Sequence, residues 1–165
     1  QALDAAKRLV RDNTNLEARA DTMLGAHLAG MAFSNSSVAL VHGMSRPIGA
    51  YFHVHHGLSN AVLLERVMRF SLAGSPARYA RVAQAMGEDV EGLSDMGAAE
   101  KAVEAVGKLC KDVKIPTLSE IGITEDRLRP YVEQMARDAL ASGSPANNPR
   151  QATPEEIVQL YLDCL

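Results

Sequence analysis

The residue types that stand out as able to do chemistry are histidines, because four of the five lie in one short segment. They are His42, His53, His55 and His56. Neutral imidazole is a common nitrogen ligand of zinc and of divalent iron. His56 follows His42 by fourteen positions, and a proline and two glycines in or beside the interval can turn the chain back on itself. The pattern therefore predicts either a metal site or ordinary hydrogen bonds made by histidines at helix ends.

Two imidazoles are too few for a catalytic metal, which takes three or four protein ligands and keeps one position open. No third Asp, Glu or His has a position in the sequence that recommends it above the rest. His27 shares a helical stripe with Met23 and Met31, which predicts a core or boundary histidine rather than a ligand. Either the cluster is not a metal site or the chain lacks the remaining ligands.

The elements that must position these histidines are predicted to be helices. Hydrophobic residues make up 47% of the 165 residues but aromatic residues only 4%, without Trp, a composition that favours helix over a β-sandwich or barrel. Helical spacing, caps and prolines predict seven helices. The first is capped by Thr14, the second kinks or ends near Arg46, the fifth ends before Pro116 and the last is capped by Thr153. The others span Leu58–Phe70, Ser75–Gly87 and Thr124–Leu140. We predict an all-α fold, a multi-helix bundle in a single domain over residues 1–165.

Charge and cysteine usage exclude several classes of function. The formal charge is −3, from 17 basic and 20 acidic residues, with no basic block to neutralise phosphates, so nucleic-acid binding is not expected. Apolar runs are far shorter than a membrane span. Cys110 and Cys164 each fall on an apolar helical stripe, which predicts two reduced thiols and a cytoplasmic location. The chain starts at Gln1 without a signal peptide, so we expect it to be part of a longer polypeptide.

Three segments resemble the second half of the iron-containing (group III) alcohol dehydrogenases, namely Gly30–Asn35, Val41–Ala50 and His56–Leu64. The helix order, the Asn148-Pro149-Arg150 element and the closing Thr-Pro-Glu-Glu helix also fit, so the resemblance spans essentially the whole chain. It implies the helical C-terminal domain of the type shared with dehydroquinate synthase. In that family a nucleotide-binding α/β domain precedes it, and the metal lies in the cleft between the two.

The resemblance also implies a site and a reaction. His42 and His56 match two of the family's four metal ligands, and the other two, an Asp and a His, would lie upstream of Gln1. The implied reaction is hydride transfer between an alcohol or aldehyde and NAD(P), with a divalent metal, Fe²⁺ in preference to Zn²⁺, on the substrate oxygen. The isolated chain should be inactive and should self-associate through its exposed cleft wall. We expect the whole protein to be a homo-oligomer.

Two further residues are candidates for catalysis. Arg46 stands where many family members have a histidine near the nicotinamide, and its planar fork suits an anionic substrate group or the cofactor; a structural ion pair is the alternative. His53 is a candidate proton relay or a partner that orients a ligand, and otherwise a plain surface histidine. His55, next to His56, is able to compete for the ion.

Other functions remain open at this point. The chain fits a standalone helical module that binds a partner or ligand without catalysis, and a natural polypeptide starting near Gln1 would favour that interpretation. It also fits the equivalent domain of a maleylacetate reductase or glycerol dehydrogenase. The substrate itself is not predicted by the sequence.

Overall fold

Helices form all the regular structure of residues 2–165, the part of the chain that the computed structural model describes. The nine α-helices of this range are α1 (Ala2–Arg11), α2 (Leu16–Ser36), α3 (Leu40–Phe52), α4 (His56–Ser71), α5 (Pro76–Met86), α6 (Asp95–Asp112), α7 (Glu125–Leu128), α8 (Val132–Ala141) and α9 (Pro154–Leu162). Short 3₁₀ turns follow α4 and α8. The prediction of an all-α bundle is confirmed.

The main core lies among α3, α4, α8 and α9. Its largest members have no exposed surface, and they include Leu40, Met44, Ile48, Leu63 and Tyr161. Burial of each such side chain contributes roughly 1.5–3 kcal/mol, so this cluster fixes how α3 and α4 pack. These two helices are the ones that carry the histidine segment.

Helix α3 continues through Pro47, so of the two predicted alternatives, a kink or an end near Arg46, the end is wrong. Pro47 and Ile48 are buried, and α3 runs on to Phe52. Proline removes one helical hydrogen bond. Packing of the buried face, together with a 2.6 Å hydrogen bond that the Tyr161 hydroxyl donates to the Met44 carbonyl, outweighs that loss.

Two other helix boundaries differ from the sequence prediction. The cap of α2 is Asn15 and not Thr14, because the Asn15 side chain accepts from the Ala18 amide at 2.9 Å, whereas the Thr14 hydroxyl donates to Asp12. The single helix predicted over 124–140 is two helices, α7 and α8. Pro130 lies in the gap, and it has no amide hydrogen with which to continue the hydrogen bonds of α7.

The predicted boundaries of α5 and α9 are confirmed. Helix α5 begins at Pro76 and is capped by Gly87 at φ 87°, a left-handed conformation that suits glycine. Thr153 and Glu156 form the expected reciprocal capping box at the start of α9. Helix α1 was not predicted from the sequence.

The apolar stripe of α2 faces outward rather than into a core. Met23 is 71% exposed and Leu28 55%, and His27 beside them is exposed as well, so its prediction as a core or boundary histidine is wrong. Among the described elements α2 packs mainly against α1. Helical spacing shows that a face is apolar, but it does not show which surface covers that face.

The Asn148-Pro149-Arg150 element fastens the end of α4 to the start of α9. Buried Asn148 donates to the Ser71 hydroxyl at 2.9 Å and to the Arg150 carbonyl at 2.7 Å. The Arg150 guanidinium lies 3.9 Å from the centre of the Phe70 ring and pairs with Glu156 at 2.6 Å. These contacts hold α4, which begins with His56, in a fixed place.

Within residues 2–165 no single helix is long and apolar enough to cross a membrane. Only α2 and α3 taken together reach the required length and composition, and the two helices are bent by 109° relative to each other.

Both cysteines within residues 2–165 are free thiols, as the sequence predicts. Cys164 is buried, with 6% of its surface exposed, whereas Cys110 is only half-buried. Burial raises the pKa of the Cys164 thiol to about 12 from an ordinary value near 9.

We expect this buried thiol to make stability fall at alkaline pH. The folded protein keeps the Cys164 proton up to a pKa of about 12, while the unfolded chain releases it near 9. The stabilisation is therefore complete below about pH 9 and is lost towards pH 12, by at most about 1.4 kcal/mol per pH unit. Urea unfolding of the wild type and of Cys164→Ala at about pH 7 and about pH 10.5 measures the difference. Equal pH slopes for the two proteins would contradict the expectation.

Candidate metal centre

The structure brings His42 and His56 together. His42 lies in the first turn of α3 and His56 is the first residue of α4, and their ring centroids are 5.1 Å apart with the ring planes at 62°. The convergence that the sequence suggested is therefore present.

The connection between α3 and α4 explains how a pair fourteen positions apart can meet. His53 ends α3 in a left-handed conformation at φ 58°, and its amide donates to the Gly49 carbonyl at 3.0 Å. The chain then runs back beside α3, since a Cβ on Gly49 would lie 3.4 Å from the Val54 carbonyl oxygen. This return carries His56 towards His42.

Gly43 holds the other side of the site in place. A Cβ on Gly43 would lie 2.8 Å from a ring carbon of Pro145 and 3.3 Å from the Ala139 carbonyl oxygen, so only glycine allows α3 to approach the turn after α8 this closely. His42 is the preceding residue, and the close approach therefore fixes its backbone.

Asn60, one helical turn after His56, supports the second ring. Its amide nitrogen donates to the His56 carbonyl at 2.8 Å and lies 3.4 Å and 3.2 Å from the two ring nitrogens. Nearly equal distances to both nitrogens place the amide over the face of the ring, since an approach in the ring plane would collide with the carbon between them. Both nitrogens of His56 thus keep their in-plane directions free of Asn60.

The amide oxygen of Asn60 is buried and has no hydrogen-bond partner within residues 2–165. Sequence analysis did not single out Asn60, although its spacing of four residues from His56 on one helix was a usable signal. Phe33, at the end of α2, was also missed. Its ring centroid lies 6.5 Å from that of His42.

The electrostatics around His42 favour its neutral imidazole. Burial lowers the pKa of His42 most, and the neighbouring His56 and the guanidinium of Arg46 lower this pKa further. Neutral imidazole is the form that binds a metal.

The other candidates lie around the pair without hydrogen bonds to it. Arg46 is exposed one turn after His42, and within residues 2–165 it has neither an ion pair nor a hydrogen bond, so the alternative of a structural ion pair lacks a carboxylate partner there. His53 is exposed at the end of α3, and His55 is exposed just before α4. The structure does not bring His53 or His55 into hydrogen-bond contact with the pair.

The geometry of the pair is compatible with two ligands of one ion. When a first-row divalent metal lies about 2.1 Å from one nitrogen of each of two histidine rings, the usual N–metal–N angles put the ring centroids roughly 4.6–5.3 Å apart. The observed 5.1 Å falls in that interval. Residues 2–165 contain no group of three or more His, Cys, Asp or Glu side chains able to hold a metal. The pair therefore has the spacing of two ligands, and residues 2–165 place no third ligating side chain beside them.

The chain matches the family described as Fe-containing alcohol dehydrogenase, C-terminal, over residues 2–165. It is 38% identical over 156 residues to 1,3-propanediol dehydrogenase of Klebsiella pneumoniae, covering 94% of this chain and 39% of that protein. It is 42% identical over 146 residues to lactaldehyde reductase of Escherichia coli (strain K12), covering 88% of this chain and 37% of that protein.

Solved structures agree with the sequence matches. The alcohol dehydrogenase from Oenococcus oeni superposes with a TM-score of 0.87 at 33% identity, over 99% of this chain and 44% of that one. A 1,3-propanediol oxidoreductase gives a TM-score of 0.86 at 34% identity, with the same coverage.

The fold is thus that of the helical domain of a dehydrogenase. The chain belongs to the iron-containing alcohol dehydrogenase family and corresponds to the C-terminal domain of that family. It spans about two fifths of the length of the curated relatives it matches.

Proposed function

We propose that this chain is the helical, metal-binding half of an NAD(P)-dependent alcohol dehydrogenase. In this proposal His42 and His56 supply two nitrogen ligands of a divalent metal, Fe²⁺ in preference to Zn²⁺. The observation that carries the proposal is the meeting of these two imidazoles, from separate helices, at 5.1 Å. The remaining ligands and the nucleotide-binding segment would come from an N-terminal domain of the same polypeptide, and the length of the relatives supports this.

The reaction would be reversible hydride transfer between the carbon of an alcohol and the nicotinamide ring. When bound, the metal would polarise the substrate oxygen and stabilise negative charge on it. His42 would remain neutral because burial lowers its pKa most and the Arg46 guanidinium lowers it further. Asn60 would hold the His56 ring by packing on its face. When the alcohol is oxidised, its carbon gives up a hydride, which carries two electrons, and its hydroxyl group gives up a proton that must reach solvent. We propose exposed His53 as the relay for this proton.

The exposed apolar face of α2 fits a role as the wall of the cleft in the whole protein. Its residues Met23 and Leu28 lie on α2, whose last turn carries Phe33 beside His42. We propose that the N-terminal domain covers this face, and that the isolated chain self-associates through it. The whole protein would be a cytoplasmic homo-oligomer acting on a small alcohol or aldehyde.

A second candidate function is a helical module that binds without catalysis. The lack of a third metal-ligating side chain beside the pair within residues 2–165 favours it over an enzyme confined to these residues. A domain of a maleylacetate reductase or glycerol dehydrogenase relative is a variant of the first proposal with another substrate.

Metal analysis of the natural full-length polypeptide beside the 165-residue chain tests the proposal. We expect about one equivalent of metal per full-length polypeptide after purification with Fe²⁺, and at least about tenfold weaker binding by the chain alone, because half of the ligands are lost. NAD(P) reduction with short alcohols should require the full-length form. A full-length protein that binds no metal and reduces neither cofactor would contradict the proposal and favour the binding module.

A further inference from the structure

Arg46 occupies a position from which it can reach a molecule bound at the histidine pair. It follows His42 by four residues on α3, so the two side chains lie on one helix face, with Cβ atoms about 5–6 Å apart. Its neighbours Ser45 and Pro47 are buried, whereas Arg46 is exposed. The guanidinium therefore extends from the same surface on which the partly exposed His42 opens.

Within residues 2–165 no carboxylate forms an ion pair with this guanidinium. The ion pairs found within residues 2–165 all involve other residues, and Arg46 takes part in none of them. The one acidic side chain bonded to α3, Asp138, already accepts from the Tyr51 hydroxyl at 3.1 Å and from the Gln134 amide at 2.7 Å. A permanently charged guanidinium without an ion-pair partner within residues 2–165 thus lies one helical turn from His42.

An unpaired guanidinium distinguishes a neutral ligand from an anionic one. A neutral alcohol or aldehyde leaves the guanidinium hydrated and gains nothing from it. A carboxylate can receive two parallel hydrogen bonds from its planar fork, an interaction stronger than one between neutral groups. The single helical turn between His42 and Arg46, about 5.4 Å, matches a spacer of a few carbon atoms between the reacting carbon and the carboxylate.

We propose that Arg46 recognises a carboxylate on the substrate, so that the preferred substrates are short hydroxy acids and the corresponding aldehyde acids. The inference rests on the proposed function, since it concerns the same site. The cofactor carries phosphate groups that an arginine can also bind, and the experiment separates the two anions.

The test compares 4-oxobutanoate with butanal, which have the same chain length, in the full-length enzyme. For Arg46→Gln we expect kcat/KM for 4-oxobutanoate to fall about 10–100-fold through KM, and kcat/KM for butanal to change less than about threefold. Arg46→Lys should recover only part of the loss, because it keeps the charge without the fork. Arg81→Gln is the matched control, since Arg81 is exposed on α5 and has no ion pair or hydrogen bond within residues 2–165.

Equal losses on both aldehydes in Arg46→Gln would overturn the inference, and so would a loss confined to the KM for NAD(P)H. Calorimetric binding of butanoate to wild type and Arg46→Gln provides a readout without turnover. If the wild type is inert towards both aldehydes but butanoate binding depends on Arg46, the proposed function fails and the anion site stands. If the enzyme is active and butanoate binds both proteins equally, the inference alone fails.

Discussion

Replacing His42 with alanine in the full-length polypeptide should weaken its binding of divalent metal by more than about 100-fold. Loss of a group that merely orients a ligand typically costs about 10–100-fold in metal affinity, and loss of the ligand itself should exceed that range. His56→Ala should behave in the same way, because its ring lies 5.1 Å from that of His42. Metal content after dialysis, measured by mass spectrometry, and NAD(P) reduction give the two readouts.

His27→Ala is the matched control for these variants. His27 is an exposed histidine on α2, and no hydrogen bond of its ring is found within residues 2–165. We expect His27→Ala to keep its metal. The double variant His42→Ala/His56→Ala should be hardly worse in turnover than either single variant, because ligands of one ion act as a unit. A His42→Ala protein that retains one equivalent of metal would remove His42 from the ligand set.

The meeting of the two histidines could be foreseen only in part. Their residue type and the turn-forming residues between them are visible in the sequence. The return of the chain depends on the left-handed conformation of His53 and on the close passage of Val54 beside Gly49. A histidine with positive φ is uncommon, and no spacing pattern in the sequence predicts it. The sequence therefore predicted the partners but not the path that joins them.

Local signals predicted helix ends well where the cap residues decide them, as at Pro76, Gly87 and Thr153. They failed where tertiary packing decides. Pro47 stays inside α3 because the helix face around it is buried, and the stripe of Met23 on α2 is exposed because no described element covers it. Periodicity shows which face of a helix is apolar, whereas elements distant in the sequence determine whether that face is buried.

Arg46 and Asn60 show the same limit within the candidate site. The type and position of Arg46 were enough to predict that an anion was a candidate partner, and the structure adds that no carboxylate within residues 2–165 pairs with it. Asn60 resembles any surface amide in the sequence. Asn60 can pack on the His56 ring only when α4 has formed and has brought the two side chains together.

The largest loss of stability is expected from Tyr161→Ala, because Tyr161 joins α9 to the helix that carries His42. Its side chain has no exposed surface, and its hydroxyl donates to the Met44 carbonyl at 2.6 Å. Emptying this position should lower the free energy of unfolding by about 3–5 kcal/mol. Tyr161→Phe keeps the ring and removes only the hydrogen bond, so it should cost about 1–3 kcal/mol. Urea unfolding of the purified protein measures both values.

Tyr131→Phe is the control, since Tyr131 is 45% exposed and no hydrogen bond of its hydroxyl is found within residues 2–165. It should change stability by less than about 0.5 kcal/mol. Because Met44 lies two residues beyond His42 on α3, Tyr161→Phe should also loosen the backbone that fixes the first imidazole. We therefore expect Tyr161→Phe to weaken metal binding several-fold in the full-length protein while leaving both histidines in place. Unchanged metal affinity together with the full loss of stability would show that α9 supports the core but not the geometry of the histidine pair.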